Sequence, residues 1–323
     1  MRIKLSNPRG FCAGVRMAVD IVDMLLDAIG DDEKLYVYHE IVHNRHVVYR
    51  LRERGAVFVE NIAEIPKDSV VVFSAHGVSP EIKKLANDRN LTCIDATCPL
   101  VTKVHAEAIR YAKRGWQILL IGHKNHQEVV GTQGEAPDAI QIVESIDDIH
   151  SLKIEDATKL VYLTQTTLST DDAETIISAL RIAFPEIHAP PSDDICYATT
   201  NRQNAVREDA ANVDLVLVVG SKNSSNSLRL TEIAETAGTK SYLLDDVTEI
   251  NPSWLDGVHS ILITAGASAP DHLVSELITH LTEKYDGILE GDYDFDEAMT
   301  FSMPASLNTF LKSKNLTVEG YPL

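Results

Sequence analysis

Two short phrases recur three times, in the same order, along a chain of 323 residues, and this internal repeat limits the possible folds more than any other feature. The first phrase is an apolar run that breaks into polar residues. It reads Tyr36-Val37-Tyr38-His39-Glu40-Ile41-Val42-His43-Asn44, then Leu119-Leu120-Ile121-Gly122-His123-Lys124-Asn125-His126, then Leu217-Val218-Val219-Gly220-Ser221-Lys222-Asn223-Ser224. The second is a run ending in small or hydroxylic residues ahead of a helical pattern: VVVFSAHGVSP from Val70, LVYLTQTTLST from Leu160 and ILITAGASAP from Ile261. Between them lies a third echo, VENIAEI at Val59, VESIDDI at Val143 and LDDVTEI at Leu244. Copies stand 83 to 101 residues apart, so each unit holds roughly 90 residues of mixed strand and helix.

Several strand-like runs are four or five consecutive apolar, mostly β-branched residues, the pattern of strands covered on both faces. Amphipathic stretches such as Asp171 to Phe184 separate them. Such alternation predicts parallel sheets in α/β units. The expected fold class is α/β, with three similar domains of small, mostly parallel sheets in a pseudo-threefold trefoil. The units are expected at residues 1–97, 98–195 and 196–284, with 285–323 as a C-terminal tail.

Charge narrows the function. Acidic side chains number 48 against 29 basic ones, a net charge of −19, and no run of five Lys/Arg interrupts that field. Polyanions are repelled, so neither nucleic acid nor an anionic membrane is an expected partner, and any phosphate must be held locally. The longest apolar run, Leu215 to Val219, is far short of the roughly 20 residues that span a bilayer. Met1 to Asn7 begins no apolar signal region. A cytoplasmic protein is expected.

Four cysteines, Cys12, Cys93, Cys98 and Cys196, are too few and too dispersed to staple a chain of this length, which favours ligand or redox chemistry. Cys12, Cys98 and Cys196 are separated by 86 and 98 residues, close to the repeat, so each unit could contribute one thiol at a similar place. Cys12 precedes an amphipathic pattern with apolar residues at 15, 18, 19, 22, 25, 26 and 29 that ends at Gly30. It is therefore expected at a helix N-terminus, where N–H groups and the dipole favour a thiolate or an anionic cluster. Cys98 and Cys196 read as loop residues entering helical segments. Three thiolates at a threefold junction suit a 4Fe-4S cluster with one iron lacking a cysteine. A zinc site of three cysteines and one histidine is the competing reading, and isolated buried thiols are the other. Cys93, in Leu91-Thr92-Cys93-Ile94, reads as a core thiol outside the pattern.

The repeat also aligns polar residues at strand ends: His43, His126 and Ser224 in the first phrase, His76, Thr166 and Ser268 in the second. Ligands of α/β sheets bind beyond the carboxyl ends of strands, where helix N-termini present N–H groups to phosphate. Ser79 before Pro80, Ser169 with Asp172, and Ser268 with Asp271 have helix-start chemistry. Ser224-Ser225-Asn226-Ser227 supplies hydroxyl and amide donors without fixed charge. Histidines add positive charge when protonated beside an anion. Glu128, just beyond the same strand as His126, is the most suitable carboxylic proton donor, against the ordinary alternative of a surface-loop glutamate.

Nine blocks in order carry a family resemblance: NPRGFCAGV at Asn7, HEIVHN at His39, FSAHGVS at Phe73, DATCPLVTKVH at Asp95, GHKNHQE at Gly122, TQTTLS at Thr164, DDICYATTNRQ at Asp193, GSKNSSNS at Gly220 and TAGASAPD at Thr264. Over nearly the whole chain to about residue 284, the sequence resembles the 4-hydroxy-3-methylbut-2-enyl diphosphate reductase family, iron–sulfur enzymes ending the non-mevalonate isoprenoid pathway. The resemblance implies a trefoil of three α/β domains around an oxygen-sensitive 4Fe-4S cluster held by Cys12, Cys98 and Cys196. It implies an allylic diphosphate substrate bound by His43, His76, His126, Ser224, Ser225, Asn226 and Ser268. Thr166 would bond near the substrate hydroxyl, Glu128 would supply or relay protons, and an external ferredoxin- or flavodoxin-type protein would supply electrons. The products would be isopentenyl and dimethylallyl diphosphate. The chain departs from the family pattern at Arg16-Met17, where an acidic residue followed by Arg is usual, and at Gln127, where proline is frequent.

Two other functions are weighed beside this one. A non-redox iron–sulfur dehydratase similar to quinolinate synthase would use the open iron only as a Lewis acid. A metal- or redox-sensing binding protein would hold structural zinc on the three cysteines. The stretch from Tyr285 carries Asp286, Glu290, Asp292, Asp294, Asp296 and Glu297, expected as a solvated surface, while Thr300 to Pro304 is expected to pack back on the body.

Overall fold

The computed structural model describes residues 1–29, 33–291 and 297–318; Gly30, Asp292, Asp294 and Asp296, singled out above, lie outside them. The chain is α/β, and among the described residues it carries three small sheets in which every strand pair is parallel. Two compact bodies hold them, one of Met1–Val15, His43–Val47 and Tyr197–Met299, the other of Arg16–Val42, Val48–Cys196 and Thr300–Leu323. No helix among the described residues is long and apolar enough to cross a membrane.

The first body contains β1 (Arg2–Leu5), β9 (Leu215–Val219), β10 (Lys240–Leu244), β11 (Ser260–Ala265) and β12 (Ile288–Leu289), in the order β10-β9-β11-β1-β12. Both faces of this sheet are covered, as the unbroken apolar runs require. Leu215, Leu217, Val219, Ile261 and Ile263 point to one side, onto Leu273, Val274, Leu277 and Leu281 of α9 (Asp271–Tyr285). Val216, Val218 and Leu262 point to the other, onto α7 (Tyr197–Ala210) and α8 (Ser225–Thr236) through Val206, Ala210, Leu230, Ile233 and Ala234. Each such buried Leu, Ile or Val contributes about 1.5–3 kcal/mol.

The second body has two sheets. One is β3-β2-β4-β5, from β2 (Leu35–Tyr38), β3 (Val57–Val59), β4 (Val70–Phe73) and β5 (Thr92–Asp95), with α3 (Pro80–Asp88) on one face. The other is β7-β6-β8, from β6 (Gln117–Ile121), β7 (Ile140–Val143) and β8 (Leu160–Thr164). The latter lies between α4 (Pro99–Lys113) and α5 (Gln127–Glu135) on one face and α6 (Thr170–Ala183) on the other, again by alternate residues: Ile118, Leu120, Val161 and Leu163 against Leu119, Ile121, Leu160 and Tyr162. Helices α1 (Ala13–Ile29) and α2 (Arg45–Glu53) complete the set with α10 (Ala305–Ser313), which buries Leu307, Phe310 and Leu311 and packs at β5.

The sheets do not follow the simple segmentation expected from the repeat. Arg2–Leu5 lies within residues 1–97, yet it is a strand of the sheet that residues 196–284 build, paired with β11 from Arg2↔Ser260 to Leu5↔Ile263. A parallel partner is selected by apolar complementarity across a crossover, not by neighbourhood in the chain. The segment 285–323 is likewise divided: β12 extends β1 in the first body, and α10 belongs to the second.

Candidate active site

The three repeat thiols have equivalent local settings. Cys12, Cys98 and Cys196 each stand one residue before a helix, namely α1, α4 and α7. The amide of each is held by the carbonyl two residues beyond the end of a strand: Cys98 N donates to Ala75 O (3.0 Å), Cys196 N to Thr166 O (3.0 Å) and Cys12 N to Ala267 O (3.1 Å). The first-phrase residues are equally regular. His43, His126 and Ser224 all lie five residues past their strands, β2, β6 and β9. The second phrase needs a one-residue correction. Ala75, Thr166 and Ala267 are the equivalent positions, so the counterpart of His76 and Ser268 is Thr167, not Thr166. Sequence alignment slipped because hydroxyls occupy both positions of Thr166-Thr167.

In the first body, Cys12, His43, Ser224, Asn226 and Ser268 gather around the loop after β11. Ser268 Oγ donates to His43 O (2.9 Å) and stands 3.5 Å from Ser224 Oγ. Ser224 caps α8, accepting from the Ser227 amide, and its Oγ also receives the Ser227 hydroxyl at 3.0 Å. Asn226 Oδ1 accepts from Ala267 N (2.9 Å) and its Nδ2 donates to Thr199 Oγ1 (3.3 Å), which fixes the amide orientation. Ser225 opens α8 and is buried. Gly220 and Gly266 let this helix end approach both strand ends, since a Cβ at either would collide with the Ser227 side chain. Ser268 does not cap α9, as its spacing to Asp271 predicts. Pro270 occupies that position without a side-chain bond, and the Ser268 hydroxyl turns to His43 instead.

Gly10, two residues before Cys12, is gripped by a residue that sequence reasoning missed. Arg202, on α7, is fully buried and donates to Gly10 O through Nε (3.1 Å) and Nη2 (2.8 Å), to Ala198 O, and to Glu297 Oε2 (2.8 Å). Asn201 Nδ2 donates to the other oxygen of Glu297. Glu297 is thus a half-buried counter-ion rather than solvated surface, because an internal guanidinium requires one. The Cys12 loop is also touched by Tyr197, whose Oη accepts from Ala13 N (3.2 Å). Burial, and then the neighbouring Cys12 and Glu297, push its hydroxyl up to about 12.

The second body assembles His76, Cys98, His126, Glu128, Thr166 and Cys196. His126 caps α5, with Nδ1 accepting from Glu128 N at 3.2 Å. That assignment puts the hydrogen of the neutral ring on Nε2. The His76 ring meets it edge-on, centroids 5.8 Å apart at 87°, while His76 Nδ1 lies 3.3 Å from Ser74 Oγ. Ser79 and Ser169 cap α3 and α6 as expected. Glu128 is 2% exposed, so it is no surface-loop residue. Its Oε1 accepts from Thr166 N (2.6 Å) and its Oε2 from Thr166 Oγ1 (2.9 Å). Burial pushes its carboxyl up to about 7; Thr166 opposes this and Asp194 adds to it. Cys93 is outside both groups, a half-buried thiol facing the Leu91 carbonyl, raised above the usual thiol range by burial and then by Asp95.

The two departures from the family pattern are both accommodated. Helix α1 runs unbroken through Arg16-Met17, and Met17 is buried. Gln127 is the first residue of α5, a position where a proline loses no intrahelical bond. Gln127→Pro is expected to stabilise the protein by about 0.4–1 kcal/mol by restricting the unfolded chain. A thermal unfolding midpoint below that of the parent would contradict this.

A family model described as LytB protein matches residues 3–282. The chain belongs to the LytB family. Among relatives of this LytB chain, proteins named 4-hydroxy-3-methylbut-2-enyl diphosphate reductase from Rhodopirellula baltica and Chromohalobacter salexigens are 52% and 53% identical over 310 and 311 residues. These matches cover 96% and 95% of this chain and 97% and 98% of the relatives. A solved structure titled E-1-hydroxy-2-methyl-but-2-enyl-4-diphosphate reductase from Plasmodium falciparum superimposes with a TM-score of 0.92 at 38% identity, covering 97% of this chain and 98% of that one. The α/β class with three small parallel sheets is thus that of the LytB family.

Proposed function

We propose that this chain catalyses the reductive removal of the hydroxyl of 4-hydroxy-3-methylbut-2-enyl diphosphate, giving isopentenyl and dimethylallyl diphosphate, with a 4Fe-4S cluster held by Cys12, Cys98 and Cys196. The observation that carries the reading is the equivalence of the three thiols, each before a helix and each with its amide on the residue two past a strand. The donor set fits the cluster: soft thiolates are its ligands, and three helix N-termini favour an anionic group. When bound, the cluster supplies electrons and an iron without a thiolate, able to take an oxygen ligand. On this reading the repeats 1–97, 98–195 and 196–284 each carry, at or near the start, one thiol of a pseudo-threefold site. Electrons come from an external ferredoxin- or flavodoxin-type protein in the cytoplasm.

The diphosphate is held by neutral donors and histidines. Ser224, Ser225, Asn226 and Ser268 supply hydroxyls and an amide around the N-terminus of α8, and His43 belongs to the same group. His76 and His126 present ring N–H groups at the start of α5, which adds the dipole of that helix. Glu128, poised at about 7, gives a proton through Thr166 Oγ1 to the departing hydroxyl. Hydroxide leaves poorly, and a proton delivered in the transition state lowers that barrier. Two electrons and two protons turn the allylic alcohol into the alkene and water. A non-redox dehydratase of the quinolinate-synthase kind is not favoured, since the relatives are named as reductases over almost their full length.

The test is anaerobic. The protein is reconstituted with iron and sulfide, a viologen is reduced, and its oxidation is followed on adding the substrate. Substrate-dependent bleaching with formation of the two alkenyl diphosphates is expected. An intact cluster with no bleaching would overturn the redox reading.

A further inference from the structure

One lysine ties together the two segments that carry Cys98 and Cys196. Lys103 lies in the second turn of α4, the helix that follows Cys98 directly. Its ammonium donates to three acceptors on the approach to Cys196: Ser192 O (2.9 Å), Asp193 O (2.7 Å) and Asp194 Oδ1 (3.1 Å). An ammonium has three hydrogens, so the set is complete. The Asp194 side chain is fully buried, and its second oxygen accepts from Thr164 N at 3.0 Å. Two residues further along both segments, Cys196 N donates to Thr166 O. Asp194–Thr164 and Cys196–Thr166 are therefore successive rungs between the Cys196 loop and the end of β8, and Lys103 anchors the first rung to α4. Glu107, one turn beyond Lys103, shares a side-chain hydrogen bond with Asp194, and the Lys103 ammonium stands beside both acids.

We propose that Lys103 is a positioning residue for the cluster: it holds the Cys98-bearing helix end and the Cys196 loop in one frame, so that both thiols meet the cluster without rearrangement. This rests on the cofactor reading above. Groups that orient ligands from behind change metal affinity by about 10–100-fold when removed. The anaerobically reconstituted protein is compared with Lys103→Met, Lys103→Arg and Leu180→Ala, the last a buried α6 residue of the same body serving as a stability control. Iron and sulfide per chain, the rate of iron release to a ferrous chelator, and the electron paramagnetic resonance spectrum after reduction are measured.

Lys103→Met is expected to release iron about 10–100-fold faster than the parent, with an altered spectrum. Lys103→Arg should recover most of the retention, and Leu180→Ala should keep the parent spectrum. Should Lys103→Met fail to fold, Asp194→Asn tests the same contact, because an amide still accepts from Thr164 while losing its charge on Lys103. Parent-like release and spectrum in Lys103→Met, or in Asp194→Asn where that variant stands in, would overturn the inference while leaving the cofactor reading intact. So would equally fast release from Leu180→Ala. A parent that takes up no cluster would overturn both.

Discussion

Glu128→Gln is expected to lower turnover by about 10²–10⁴-fold, the range for removing a general acid, while making the protein more stable above pH 7. Both effects follow from the same burial. The carboxyl is raised to about 7 chiefly by loss of solvent, from about 4.3 in an unfolded chain. Between those values the folded protein binds more protons than the unfolded one, so this group's contribution to stability falls as pH rises and is lost once pH passes about 7. The full drop is roughly 3–4 kcal/mol, at about 1.4 kcal/mol per unit. Glutamine preserves the contacts: its oxygen accepts from Thr166 N, and the Thr166 hydroxyl rotates to accept from its amide. The variant therefore lacks the titration but keeps the packing. Thermal unfolding of both proteins from pH 4.5 to 8 should show the variant gaining on the parent across the interval. Turnover of the parent should fall above pH 7 as the acid form is lost. Unchanged turnover in the variant would remove Glu128 from the mechanism, and parallel pH–stability curves would show that the carboxyl is not desolvated.

Motifs bound to strand ends were legible because strand ends are where α/β sheets place ligands, and because the repeat provided three readings of each position. His43, His126 and Ser224 fall at equal distances past their strands for this reason. What the repeat could not convey was pairing at long range. Arg2–Leu5 carries no mark of its partnership with β11, some 258 residues away, since a four-residue strand looks the same whichever parallel neighbour it meets. Within the acidic tail the expected solvated surface is found at Asp286 and Glu290, which are exposed, and not at Glu297: composition describes an average environment, whereas Glu297 answers one specific charge. A signal for Arg202 did exist. It occupies the stripe Ala198, Arg202, Val206 and Ala210, all buried at four-residue spacing on α7, and an arginine on the inward stripe of a helix announces a buried acceptor set. Lys103 and Asp194 lie within blocks already read for their cysteines, but only the folded backbone brings the Ser192 and Asp193 carbonyls to one ammonium.

Glu297→Ala is expected to destabilise the protein by about 3–5 kcal/mol, the cost of leaving a buried charge without its partner. The Arg202 side chain is 1% exposed and that of Glu297 12%, so water compensates little. Glu297→Gln keeps an acceptor for Arg202 Nη2 but not the charge, and should fall between Ala and the parent. The remaining bonds of Arg202 go to Ala198 O and twice to Gly10 O, so a guanidinium seeking a new counter-ion draws on the loop that leads into Cys12. The consequence is local as well as global. Amide exchange at Cys12, protected by Ala267 O, should quicken in Glu297→Ala under conditions where the centre of β9 stays protected. An alanine variant with parent stability would return Glu297 to the solvated surface. A destabilised variant in which Cys12 and β9 lose protection together would mean that Arg202 supports the body as a whole and not the cysteine loop.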